Sequence, residues 1–123
     1  MLSIKRAQGM TDRLLVSSLT RACETAKSEI IGFTWLTHEV DYHAFPSSLQ
    51  IVWVFDTQAN LAEALEIGQG KRMYELTAQA LAEADVAVGK VEAHVRFDTE
   101  EACQKFSDGN WQSRLAQLRS ASR

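Results

Sequence analysis

Three groups of residues carry side chains suited to chemistry. His38, Asp41 and His43 form an H-x-x-D-x-H run. Imidazole and carboxylate are metal ligands, and three protein ligands beside an open position make a catalytic zinc site. The spacing belongs to no helix-borne metal motif, and on a strand His38 and Asp41 point to opposite faces. Polar residues in a loop between strands account for the run more simply. Asp56 and Asp98 make the second group. Each sits in a Phe-Asp-Thr triplet, at 55–57 and 97–99, where a strand pattern gives way to a helical one. On neighbouring strands the two carboxylates could converge on a cation or divide acid and base roles, with His38 as a further ligand, and the chemistry would be metal-assisted hydrolysis. An aspartate ahead of a helix also satisfies a free N–H and meets a favourable dipole, so capping explains both positions without a ligand.

The third group is Ile67-Gly68-Gln69-Gly70-Lys71-Arg72. Gly68 and Gly70 give a flexible turn between two helices. Lys71 and Arg72 add positive charge where helix amides can hold phosphate. The plainer account is a glycine closing a helix, followed by a turn. Cys23 and Cys103 have no partner at metal-ligand spacing, and Glu100 and Glu101 beside Cys103 disfavour a thiolate; both thiols read as small packed side chains. Neither a G-x-S-x-G elbow nor a phosphate-binding G-x-x-x-x-G-K-[ST] loop occurs. No catalytic residue and no cofactor is therefore assigned. Among the aromatics only Trp35 and Phe45 are candidates for stacking on a base, because Trp53 lies inside a wholly apolar run.

The elements that must position these groups follow from periodicity. Leu15, Leu19, Ala22, Ala26 and Ile30 mark one face of a helix running from about Asp12 to Ile31 and ended by Gly32. Phe33–Tyr42 is aromatic and β-branched, and Leu49–Phe55 is apolar almost throughout, which predicts a strand covered on both faces or central in its sheet. Helices follow around Leu61–Leu65 and from Lys71 to Ala84. Val91, Ala93, Val95 and Phe97 then alternate with Glu92, His94, Arg96 and Asp98, a strand with a dry and a wet face. Asp98 and Glu101 open a fourth helix. Trp111, Leu115 and Leu118 mark a fifth, and 120–123 are expected to fray. The order α-β-β-α-α-β-α-α predicts an α+β fold, one three-stranded sheet with helices mainly on one face.

One domain is expected over 1–123, with its core in about 12–118. The chain has 46% hydrophobic residues and a net charge of −3. That charge disfavours bulk attraction to nucleic acid or anionic membrane. No apolar run nears the roughly 20 residues of a membrane span, and the first ten residues do not form a secretory signal. A cytoplasmic location, with no membrane partner, is the expectation.

Two resemblances add to this. Through residue 97 the order of elements looks like that of bacterial KH-type RNA-binding domains, in which a Gly-x-x-Gly loop between the middle helices clamps the RNA backbone. Here one residue, not two, separates Gly68 from Gly70. Over about 12–118 the chain also resembles a group of small proteobacterial proteins, some labelled Fis family transcriptional regulators. The shared features are Ala22-Cys23-Glu24, Trp35-Leu36-Thr37-His38, Val54-Phe55-Asp56, Gly68-Gln69-Gly70, the run from Phe97 to Cys103, and Gly109-Asn110-Trp111. That label implies a basic helix-turn-helix entering the major groove. Arg114 and Arg119 lie on the last helix, but the segment before it is acidic and no such motif precedes it, so DNA binding is not expected. The reading reached is a non-catalytic interaction or regulatory module, working as a homodimer or with a protein partner. A KH-like RNA-binding domain using Gly68, Gly70, Lys71 and Arg72 is the alternative, and a metal-assisted hydrolase the third.

Overall fold

A computed structural model describes the backbone of residues 2–121 and the side chains of residues 8–119. The order is α1 (Leu2–Glu29), β1 (Phe33–Glu39), β2 (Gln50–Phe55), α2 (Gln58–Glu66), α3 (Gln69–Glu83), β3 (Val95–Thr99), α4 (Glu100–Ser107) and α5 (Trp111–Ala121), with short 3-10 turns at Tyr42–Ala44 and Val91–His94. The fold is α+β, and its one three-stranded sheet runs β1-β2-β3. β1 and β2 are antiparallel, β2 and β3 parallel. A parallel pair needs a long crossover, and α2 and α3 supply it.

β2 lies at the centre, and its residues Ile51 to Phe55 are all buried. Ile51, Trp53 and Phe55 share one face and enter the main core, with Leu15, Leu19, Ala22, Ala26 and Ile30 of α1 packed beside them. Leu61 and Ala64 of α2 and Met73, Leu76 and Ala80 of α3 complete that layer. Alternation turns Val52 and Val54 to the opposite face. There Trp35, Val54 and Asp98 stand in one cross-strand row. α5 lies over this face: Trp111 meets Trp35 edge-on at 4.9 Å between ring centroids, Arg114 reaches Asp98, and Arg119 reaches Glu39. The helices are thus mainly on one face, with α5 roofing the other.

Several boundaries differ from expectation, each for a local reason. α1 begins at Leu2, not near Asp12, because Ser3 to Met10 contains no proline, and one internal glycine costs a helix only about 1 kcal/mol. β1 ends at Glu39, short of Tyr42, where Asp41 caps a 3-10 turn through its Oδ1 to His43 N–H. β3 begins at Val95, since Val91–His94 coil into a turn. Val95 and Phe97 do face the core but are only partly buried, because β3 is an edge strand. The supposedly wet face carries Asp98, which is buried under α5. Residues 122 and 123, and the side chains of 120 and 121, where fraying was expected, lie outside the described residues.

Burial of this kind is measurable. Phe55→Ala should lower stability by about 3–5 kcal/mol in chemical denaturation, and Phe97→Ala by clearly less, since only Phe55 is enclosed on all sides. Equal losses would mean that the outer side of β3 is closed as well.

Candidate functional site

Asp98 and Glu100 form an enclosed charged cluster where β3 passes into α4. Arg114 donates to Asp98 in a two-pronged pair, Nε to Oδ2 at 2.7 Å and a terminal NH2 nitrogen to Oδ1 at 2.9 Å. The Asp98 side chain is 3% exposed and that of Arg114 17%. Two residues on, one carboxylate serves two indoles. Trp35 Nε1 donates to Glu100 Oε1 at 2.6 Å, and Trp111 Nε1 to Oε2 at 3.0 Å. The cluster gives each of its four carboxylate oxygens a donor, from Arg114, Trp35 or Trp111. Its work is to fasten α5 to the sheet.

Asp56 does not meet Asp98. Val54 is the residue opposite Asp98, and Asp56 lies beyond the end of β2, where its carboxylate accepts from Thr57 N–H at 2.6 Å and from Asn60 Nδ2 at 2.9 Å. The helix caps are the threonines, not the aspartates. Thr57 Oγ1 accepts from Asn60 N–H at the start of α2, and Thr99 Oγ1 from Ala102 N–H at the start of α4. Glu101 reaches across to cap α2 instead of its own helix, accepting from Gln58 N–H at 2.8 Å. Gly32 fits this corner because it has a positive φ of 88° and its Cα lies against Asn60, where a β-carbon would fall 2.6 Å from the Asn60 Cβ.

His38 belongs to a different cluster. Its Nε2–H and the Tyr42 hydroxyl both donate to Asp12 Oδ1, each at 3.1 Å. The bond from His38 draws the Asp12 carboxyl below its usual range, against the effect of burial and with help from Tyr42. Asp41 and His43 stay in their own turn, and His94 donates through Nδ1–H to the Leu49 carbonyl at 2.7 Å. His38, Asp56 and Asp98 are thus held by separate partners. No three His, Cys, Asp or Glu side chains gather at metal-ligating range among the described residues.

Gly68 ends α2 in the left-handed conformation at φ 88°. α3 starts at the next residue, so Gly70 and Lys71 lie in its first turn and the expected flexible loop is a tight corner. Arg72 is committed: Nε donates to Glu29 Oε1 at 2.8 Å, its NH2 to Oε2 at 3.0 Å, and Glu75 stands 3.8 Å away. Lys71 alone points its charge outward. Cys103 is buried, and its thiol pKa is raised by burial first and then by Glu100 and Asp98. The aromatic candidates are also partnered, Trp35 by Trp111 and Phe45 by Tyr42.

Asp12, Glu100 and Arg114 were not legible as a set. Each is an ordinary charged helical residue, and only the tertiary fold brings it to His38, to the two indoles or to Asp98. Comparison with protein-family models, with curated proteins and with solved structures yields no match.

The Asp12 cluster has a titration signature. Burial, and the hydrogen bond to Asp12, push the Tyr42 hydroxyl up to about 12. A raised pKa means that the fold favours the protonated phenol. This stabilisation is complete below the ordinary tyrosine value of about 10 and disappears as pH rises to about 12. Phenolate absorbance should therefore show a step near pH 12 that Tyr42→Phe removes. A Tyr42 that ionises with an ordinary pKa would show that the Asp12 contact does not form.

Proposed function

We propose that the chain is a non-catalytic module of the cell interior that works by binding protein. The observation that carries this reading is the contrast between engaged polar groups and uncovered apolar ones. Ile31 is 84% exposed and Ile67 62%. Both stand at the end of the domain where Gln69 and Arg72 hold the last turn of α1 through Glu29. Leu65, also exposed, lies beside Gly70 there. Large aliphatic side chains gathered at one end of a small domain mark a contact surface more than solitary ones do. The surrounding charge is mixed, with Lys71 on one side and the Arg72–Glu29 pair on the other, which suits a protein surface better than a phosphate backbone. No described helix is long and apolar enough to cross a membrane.

The alternative, RNA held at Gly68–Arg72, has less to work with once Arg72 is paired. RNA affinity weaker than about 10 µM at physiological salt is expected. The two readings separate in one experiment. Proteins cross-linked to the chain in its own cells should be retained by the parent protein and by Lys71→Ala, and lost from Ile31→Ser/Ile67→Ser, whose thermal midpoint should barely change at such exposed positions. RNA that co-purifies and is released by Lys71→Ala, with the isoleucine variant unaffected, would contradict the proposal.

A further inference from the structure

The two edges of the sheet are unlike. β3 carries charged Arg96 and Asp98, and Thr99 at its end is engaged by Gln58. β1 is Phe33-Thr34-Trp35-Leu36-Thr37-His38-Glu39, bulged between Phe33 and Trp35 but regular from there on, without proline, lysine or arginine, and no described strand pairs with its outer side. Such an edge is a template for another strand unless something guards it. Beside it runs the outer flank of α1. Asp12, Val16, Thr20, Cys23 and Lys27 recur at three- and four-residue spacing and so form one stripe along the helix. The opposite flank of α1 is occupied by α3; on this one Val16, Thr20 and Lys27 are exposed, and Asp12 and Cys23 partly so. Val16 is 50% exposed, and a groove separates the stripe from Leu36 and His38.

We infer that this edge and groove bind a second copy of the same chain, β1 pairing antiparallel with its twin to make one continuous sheet of six strands. This deepens the protein-binding reading and rests on it. The stripe is complementary to its own reverse, as a two-fold contact requires. Let a two-fold axis cross α1 beside Leu19 and Thr20. Asp12 then faces Lys27 of the other copy, on both sides of the axis, and Val16 faces Cys23. Leu36 lines the groove together with Leu19, Thr20 and Cys23, so the same axis passes the middle of β1, and the helix and strand registers agree. The charges are available for this. Lys27 makes no ion pair among the described residues, and Asp12 is half-exposed with its ionised form favoured by His38 and Tyr42. The small side chains of Thr20 and Cys23 at the centre let the two helices approach closely.

The test is the mass of the full-length protein in solution, by sedimentation or light scattering at about 100 µM. The expected mass is twice the chain mass of 13.7 kDa. Val16→Glu, on an exposed helical position, should keep the thermal midpoint and give a single-chain mass; Leu36→Lys tests the strand side of the same contact. Asp12→Lys and Lys27→Glu should each weaken the dimer about tenfold by setting like charges together. An equimolar mixture of those two proteins should regain parental affinity, because every facing pair in the mixed dimer is again of opposite charge. A merely structural role for either residue would not produce that rescue. A monomeric parent protein, a dimer indifferent to Val16→Glu, or a mixture no tighter than its components would overturn the inference. Ile31 and Ile67 lie outside this groove, so a monomeric parent leaves the wider protein-binding reading to stand or fall on the isoleucine variants.

Discussion

A strand buried on both faces has to be roofed twice, and β2 imposes that requirement on the whole chain. Trp53 and Phe55 turn to one side, Val52 and Val54 to the other, and all four are closed to solvent. The first roof is ample. α1, α2 and α3 bring a continuous apolar layer whose burial is favourable at about 25 cal/mol per Å². The second roof is a single helix of 11 residues, α5, whose apolar side chains Trp111, Leu115 and Leu118 are only partly buried. Polar groups fix it there. Arg114 is locked to Asp98, and Glu100 ties Trp111 to Trp35. Breaking a buried pair such as Asp98–Arg114 from one side typically costs about 3–5 kcal/mol, because the remaining charge stays buried without a partner. The pair itself adds less than that figure suggests; what it contributes most clearly is position.

This constraint also explains where the chemistry went. The residues that looked reactive are those the architecture uses. Asp98 anchors α5. Asp56 holds Thr57 and Asn60 at the corner where β2 becomes α2, and His38 ties the end of β1 to α1 through Asp12. Buried side-chain polar atoms without a partner do not occur among the described residues. What is left over lies outside: the isoleucines at one end, and the outer edge of β1 beside the outer flank of α1. A surface of this kind suits association with protein.

Much of the fold was legible because its signals are local. The spacing from Leu15 to Ile30 marks the buried face of α1, the apolar run of β2 marks a central strand, and Gly32 and Gly68 end helices with positive φ as their positions imply. From Val95 on, the alternation in β3 marks which residues share a face, while Val91 to His94 lie outside the strand. It gives no sign, though, that α5 would cover the polar one, because that depends on Arg114 arriving from sixteen residues away. The same limit applies to the site. Phe-Asp-Thr at two strand ends reads as two equivalent aspartates, yet their fates diverge: one lies at an open corner and the other beneath a helix. The threonines beside them take the capping role, since a residue still in extended conformation, with its oxygen aimed at the third amide of the helix, is what a cap needs. Glu100, between Thr99 and Glu101, is indistinguishable in sequence from any acidic first-turn residue.

One carboxylate, Glu100, holds two indoles and with them the second roof of the sheet. The most direct measurement is the set of three indole N–H resonances in the nitrogen–proton spectrum of Glu100→Ala. The Trp35 and Trp111 signals should move and exchange faster with water, with a stability loss of about 1–3 kcal/mol. Trp53, whose Nε1 donates to Thr77 in the opposite layer, should stay where it is. Trp35 and Trp111 signals unchanged by the substitution would contradict the account.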